Sequence, residues 1–122
     1  MDYKNKIKEI ENEVFQMMEN RKKWSPEKKE EIEAKEQEIT KRVKERLDEN
    51  NIRITSIYSY LYENHLLRDG VTKKTVLITS MSKPKFGKKQ TVISDLETLE
   101  MLYVQTDVTR FMDVEDYFTP RK

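Results

Sequence analysis

The spacing of the apolar residues changes once along the chain, from a helical period to a period of two near residue 52. From residue 3 to about residue 22, apolar side chains recur every three or four positions, and a thinner stripe of helical spacing follows to about residue 50, which predicts helices. The alternation that follows is typical of a strand. It places these residues on one side: Ile52, Ile54, Ser56, Tyr58, Tyr60 and Tyr62. The sequence therefore predicts an α+β protein.

Two amphipathic helices are predicted before this change, the second of them long. The first covers residues 3 to about 22, and its apolar stripe is formed by Tyr3, Ile7, Ile10, Val14 and Met17 or Met18. Ser25 is a good N-cap and Pro26 suits the first helical position, so the second helix covers residues 26 to about 50. Its stripe is thin, and it consists of Ile32, Ile39, Val43 and Leu47. We expect this stripe to pack against the first helix, the sheet or another subunit.

The β-rich part begins with a strand over residues 52–62, and Asp69-Gly70 marks the turn to an antiparallel strand over Lys73–Thr79. A loop over Ser82–Lys89 and a short strand over Gln90–Ile93 follow. Ser94-Asp95-Leu96-Glu97 has capping-box spacing, which predicts a short helix at about 95–103. Residues 104–118 fit a strand and a helix equally well.

We expect one domain over residues 1–122. Within it, residues 3–50 form a helical hairpin that serves oligomerisation as a coiled coil. Residues 52–118 form a small antiparallel sheet with a short C-terminal helix.

Composition excludes several classes of function. The chain has no cysteine and only two glycines, so it lacks a thiolate metal site and a glycine-rich phosphate loop. No nucleophile, histidine and acid form a recognisable set, and the single histidine, His65, is interpreted as structural. We therefore expect no catalytic residue, no metal and no cofactor. No apolar run approaches the ~20 residues that span a membrane, which favours a cytoplasmic protein without a membrane partner.

Cationic and aromatic residues are the candidates for ligand binding. Residues 53–93 carry eight basic and two acidic side chains, which suits an anionic ligand. The candidates are Arg21, Trp24, Arg53, Lys85, Phe86, Lys88, Arg110 and Phe111. Arginine and lysine hold phosphates and aromatic rings stack on bases. The alternatives are that the lysines guard an exposed sheet edge and that Tyr58, Tyr60 and Tyr62 form a core or interface stripe.

The layout resembles small phage proteins that counter the bacterial Thoeris defence by sequestering its cyclic ADP-ribose signal. The resemblance is carried by size, by charged helices from Lys4 to Asn50, and by Arg21-Lys22-Lys23-Trp24 and Thr109-Arg110-Phe111. It implies a homo-oligomeric sponge that buries a cyclic nucleotide intact between subunits, in the cytoplasm of a bacterial host.

Two alternatives remain open at this point. The first is a protein-interaction inhibitor or adaptor that acts through the helical hairpin, along Ile32, Ile39 and Val43. The second is a weak nucleic-acid binder that uses the Lys83–Lys89 loop. Nucleic acid is the less favoured partner, because no helix is basic on one face. A cyclic nucleotide or another phosphorylated small ligand is the favoured one.

Overall fold

The computed structural model describes residue 12 and residues 15–83 and 89–119. The chain divides into two compact units, Met1–Ile32 and Glu33–Lys122. The single-domain prediction is not tested by this division and stays a prediction.

In the first unit, residues 15–22 are helical (α1). A second helix, α2, spans Pro26–Glu49. Ser25 caps α2 as predicted: its side-chain oxygen accepts a hydrogen bond from the backbone N–H of Lys28 at 3.2 Å, which satisfies one of the free donors of the first turn. The predicted stripe residues Tyr3, Ile7, Ile10 and Val14 lie outside the described residues.

The end of α2 sets the path of the chain into the sheet. Asn51 has a φ of 55°, and the N–H groups of Asn51 and Ile52 donate to the carbonyls of Asp48 and Leu47 at 3.2 and 2.9 Å. This is a Schellman motif, in which asparagine takes the left-handed position that glycine usually occupies. The predicted strand start at Ile52 is therefore wrong, because residues 52–55 leave the helix cap before pairing begins at Ser56.

In the described part of the chain, five antiparallel strands form one sheet in which the neighbours follow chain order. They are β1 (Ser56–Leu66), β2 (Lys73–Ser82), β3 (Lys89–Asp95), β4 (Met101–Asp107) and β5 (Arg110–Met112). The predicted turn at Asp69-Gly70 is present, with Gly70 at a φ of 75°. A short helix, α3 (Val114–Phe118), follows the sheet. The predicted α+β class is confirmed.

The predicted helix at about 95–103 is wrong. The side chain of Asp95 accepts hydrogen bonds from the N–H groups of Glu97 and Thr98 at 2.7 and 3.0 Å, which closes a turn rather than starting a helix. The chain then returns as β4. Residues 104–118, which fitted either structure, contain both: the end of β4, then β5 and α3.

Helix α2 packs on one face of the sheet. Thr40 hydrogen-bonds the side chain of Ser59 at 2.5 Å, and Ser59 hydrogen-bonds Thr79 at 2.8 Å. The apolar residues of α2 in this unit, Ile39, Val43 and Leu47, are completely or almost completely buried. Within the second unit, the sheet is thus the element against which Ile39, Val43 and Leu47 pack.

The opposite face carries a second apolar cluster, formed by Val76, Ile78, Ile93 and Tyr103. Tyr60 and Tyr62 pack against this cluster, as the stripe interpretation of the tyrosines predicted. Tyr58 differs, because 46% of it is exposed.

Candidate ligand-binding groove

An open groove of about 970 Å³ lies in the second unit, where the β4–β5 hairpin, α3 and the end of α2 meet. Its lining is mostly polar, with two cations and two aromatic rings among the side chains. The residues are Asn50, Asn51, Ile52, Lys83, Gln90, Thr106, Thr109, Arg110, Phe111, Met112, Asp116, Tyr117 and Thr119. The volume lies at the upper end of the range for small-molecule sites.

The walls of the groove are fixed by contacts outside it. The Arg46 guanidinium donates to both carboxylate oxygens of Glu115 at 3.2 Å and lies 5.0 Å from the centre of the Phe118 ring. Phe118 is 1% exposed, so α3 is anchored beside the end of α2. The Schellman motif holds Asn51 and Ile52 on the facing wall.

Tyr117 joins α3 to the sheet at the base of the groove. Its hydroxyl donates to the Gln90 side-chain oxygen at 2.6 Å. Burial raises the pKa of Tyr117 to about 12, because the charged phenolate is disfavoured away from water. The phenol is therefore a fixed hydrogen-bond donor at neutral pH.

Two cations and one carboxylate give the groove its charge. The Lys83 ammonium lies 5.3 Å from the centre of the Tyr117 ring, within the range of a cation–π contact. Arg110 is exposed and Asp116 is the one carboxylate of the lining. The arrangement suits a ligand that carries an anionic group together with polar hydroxyls or amides.

Phe111 is part of the groove lining and lies on the edge strand β5. Its ring meets Tyr103 edge to face, with the ring centres 5.5 Å apart and the planes at 84°. Tyr103 belongs to the apolar cluster on the face opposite α2, so the Phe111 ring lies on that face, and 39% of Phe111 stays exposed.

Of the predicted site residues that the structure describes, Arg110 and Phe111 are part of the groove lining. Arg53 is exposed in the segment that follows the α2 cap and is not part of the lining. Lys85, Phe86 and Lys88 lie outside the described residues. Arg21 and Trp24 belong to the first unit, where the Arg21 guanidinium lies 5.0 Å from the Trp24 ring centre.

Sequence reasoning missed the polar residues of the groove. Asn50, Asn51 and Thr109 come from a helix cap and a hairpin turn, and their sequence patterns predict only the end of a helix and a turn. The left-handed cap itself could have been predicted from Asn50-Asn51, because asparagine after a helix is typical of that position. Nothing in that pattern indicates that the cap faces a groove.

His65 packs in a way that fits the structural interpretation. Its ring lies edge to face with Tyr62, at 5.2 Å between centres, and burial lowers its pKa. In the described ranges no group of three or more His, Cys, Asp or Glu side chains is arranged to hold a metal ion. Of the helices in those ranges, none is long and apolar enough to cross a membrane.

Comparison with protein-family models, curated proteins and solved structures gives no match to this chain.

Proposed function

We propose that this chain is a non-enzymatic binding protein whose groove takes a phosphorylated, nucleotide-like small ligand. The observation that carries the proposal is the convergence of Lys83, Arg110 and Phe111 on one open volume of about 970 Å³. Two cations supply the attraction for a phosphate, and the polar side chains of the lining supply hydrogen bonds to the rest of the ligand.

The polar lining supports a ligand with more than a phosphate. Asn51 and Thr109 offer amide and hydroxyl groups, and the Asp116 carboxylate accepts hydrogen bonds from sugar hydroxyls. A single inorganic anion would contact the cations and leave the amide, hydroxyl and carboxylate groups hydrated. A nucleotide can contact the cations through its phosphate and these polar groups through its sugar and base.

Binding without conversion is part of the proposal. Burial raises the pKa of Tyr117 to about 12, so its phenol is protonated at neutral pH, and its one O–H already donates to Gln90; Tyr117 therefore supports the groove and does not act as a base. The groove residues fit recognition of charge and shape. Sequestration of a cyclic ADP-ribose signal, which the resemblance implies, is one case of this function, and a cytoplasmic location goes with it.

Assembly of several copies is also proposed. Phe15 and Met18 lie three positions apart on α1 and are 64% and 59% exposed. Residues three apart share a helix face, so these two form an apolar patch on which a second copy of the chain would pack. Native mass spectrometry of the protein and of Phe15→Ser tests this: the oligomer should dissociate in the variant.

The adaptor alternative is less well supported by the packing. Ile39 and Val43, which were expected to dock a partner protein, are completely buried in the second unit. A partner would have to displace α2 from the sheet to reach them.

Isothermal titration calorimetry with adenosine 5′-monophosphate and ADP-ribose tests the proposed function. We expect binding by the wild-type protein and a loss of about tenfold or more in affinity in Arg110→Ala, because a charge-assisted contact to phosphate is removed. Arg42→Ala is the matched control, since Arg42 is an exposed arginine paired with Glu38 on α2. Equal weakening in both variants, or no binding by the wild type, would contradict the proposal.

A further inference from the structure

The two helices that contact the sheet in the described part of the second unit lie on the same face of it. Thr40 of α2 hydrogen-bonds Ser59, and Tyr117 of α3 hydrogen-bonds Gln90. Side chains alternate between the two faces along a strand, so Tyr58 and Thr91 belong to the opposite face, which we call the far face. The groove shares Gln90 and Tyr117 with the helix-covered side.

One row of side chains crosses all five strands on the far face. Strand register aligns Tyr58, Ser80, Thr91, Gln105 and Phe111. The row begins and ends on the edge strands with exposed rings, since 46% of Tyr58 and 39% of Phe111 are accessible. Tyr58 is supported by Tyr60, whose ring centre lies 5.9 Å away. The row therefore presents two fixed aromatic rings with shorter side chains between them.

The composition of the far face is that of an interface and not that of a solvated sheet surface. A solvated face of an antiparallel sheet is usually polar. Here the exposed rings adjoin the apolar cluster that includes Ile78 and Ile93. Exposed tyrosine and phenylalanine around an apolar centre are enriched where proteins meet.

The charges of the far face favour a protein partner over a nucleic acid. Lys74 forms a salt bridge with Asp95, and Arg68 donates to a carboxylate at 2.7 Å. Lys89 shares a depression of about 370 Å³ with Asp107. Single-stranded nucleic acid also stacks on the rings of a sheet, but it requires uncompensated cations for its phosphates. The acidic neighbours of these three cations make the face a poor match for phosphates.

A second copy of the same face matches the row by symmetry. Because β3 is the middle strand, a two-fold axis along the strands lays β3 of one copy over β3 of the other and each edge strand over the opposite edge. Tyr58 of each copy then meets Phe111 of the other at both ends of the row. Thr91 meets its own counterpart at the centre.

The size of the far face is sufficient for such a pair. Five strands at ~4.8 Å spacing and about seven residues at ~3.4 Å give a face of roughly 550 Å². Two copies would bury roughly 1,100 Å², which just exceeds the area of about 1,000 Å² expected for a specific interface. This area corresponds to a weak dimer.

We propose that the far face is an isologous interface through which two copies of this chain pair sheet to sheet. The interface is separate from the patch of Phe15 and Met18, and it does not rest on nucleotide binding. Because the groove opens on the helix-covered side at Gln90 and Tyr117, it stays accessible in the pair.

Charges placed at Thr91 test the pairing by analytical ultracentrifugation. All proteins carry Phe15→Ser, which removes the contribution of the α1 patch, and we expect this background to form a dimer. Adding Thr91→Asp or Thr91→Lys should raise the dimer dissociation constant about tenfold or more, because like charges meet at the two-fold axis. An equimolar mixture of the two variants should dimerise again, since a carboxylate then meets an ammonium. This recovery would also show that both variants are folded.

Thr75→Asp in the same background is the matched control. Thr75 is as half-buried as Thr91, but register with Leu77 places its side chain on the helix-covered side, so the dimer should persist. A monomeric background protein, or a Thr91→Asp variant that dimerises equally well, would overturn the proposal. So would a mixture that stays monomeric, and binding of single-stranded oligothymidylate by such a monomer would assign the face to nucleic acid instead. Each of these outcomes leaves the proposed function of the groove untouched.

Discussion

The face of the sheet beneath α2 and the groove at the end of the sheet use the same strands in opposite ways. Beneath α2, Ile39 and Val43 are completely buried, and the polar groups bond to one another. In the groove, Arg110 and Phe111 are exposed and the polar side chains of the lining face an open volume. The covered face stabilises the fold, and the groove leaves its interactions free for a ligand.

Substitutions in the two regions should affect different properties of the protein. A change beneath α2 should lower the free energy of unfolding because it removes packing or leaves a buried polar group without a partner. A change in the groove should alter binding and leave stability close to the wild-type value. The predictions below test this separation.

The largest effect is expected from Ile39→Ala. Ile39 is 0% exposed, and replacing a buried isoleucine by alanine costs about 2–5 kcal/mol through lost transfer energy and the cavity left behind. Phe111→Ala should cost less than about 1 kcal/mol because Phe111 is partly exposed. Urea denaturation of both variants measures this contrast. Equal costs would mean that the groove is part of the core.

A smaller effect is expected from Glu36→Ala. Glu36 is 7% exposed, and its carboxylate accepts a hydrogen bond from the backbone N–H of Leu61 at 3.0 Å. Leu61 lies on β1, an edge strand, so the truncation leaves a buried donor unpaired at a cost of about 1–3 kcal/mol. Glu36→Gln keeps an acceptor and should recover most of the stability in the same denaturation experiment. A glutamine variant as unstable as the alanine variant would contradict this role.

Asp95 should make stability depend on pH. The hydrogen bond from Lys74 is the main cause that lowers the pKa of Asp95 from 3.8 to about 2. The stabilisation is therefore complete above about pH 4 and is lost as the pH falls towards about 2. Because Lys74 is nearly half exposed, we expect a loss of roughly 1–2 kcal/mol.

Denaturation of the wild type and of Asp95→Asn at about pH 5 and about pH 2 measures this contribution. The variant lacks the titrating group, so the difference between the two proteins should shrink at the lower pH. A constant difference would show that the carboxylate adds no pH-dependent stability.

The smallest effect on stability is expected from Asn51→Gly. Asn51 has a φ of 55°, which glycine adopts without strain, so the free energy of unfolding should change by less than about 0.5 kcal/mol. The amide is removed from the groove, so nucleotide binding should weaken. Asn51→Ala also removes the amide from the groove, but alanine is strained at a positive φ. The alanine variant should therefore be less stable than the glycine variant. Calorimetry of the two variants measures the contribution of the amide to binding, and their thermal unfolding measures the contribution of the backbone conformation to stability.

Much of the fold could be predicted because the local patterns were strong. Ser25-Pro26 indicated the start of α2, and Asp69-Gly70 indicated the turn between β1 and β2. The helix at 95–103 was mispredicted because an aspartate with free backbone donors nearby closes a turn as readily as it caps a helix. Strand pairing with β3 decided the outcome, and a local pattern does not contain that pairing.

The groove was only partly predictable. Arg110 and Phe111 were identified by their chemistry, but Arg53 belongs to a segment whose direction depends on the left-handed cap at Asn51. Lys89 was seen only as part of a lysine loop. Its partner Tyr58 is 31 residues away in sequence, and only the order of the strands brings them together.

The central claim is that ligand binding belongs to the groove and not to the covered face. It is tested most directly by amide chemical-shift mapping of the isotope-labelled protein during titration with adenosine 5′-monophosphate. We predict that the largest changes in amide chemical shift occur at groove positions such as Asn51, Thr109 and Phe111. The amide signals of Ile39 and Val43 should not change. Shifts confined to α2, or no shifts at saturating nucleotide, would contradict the account.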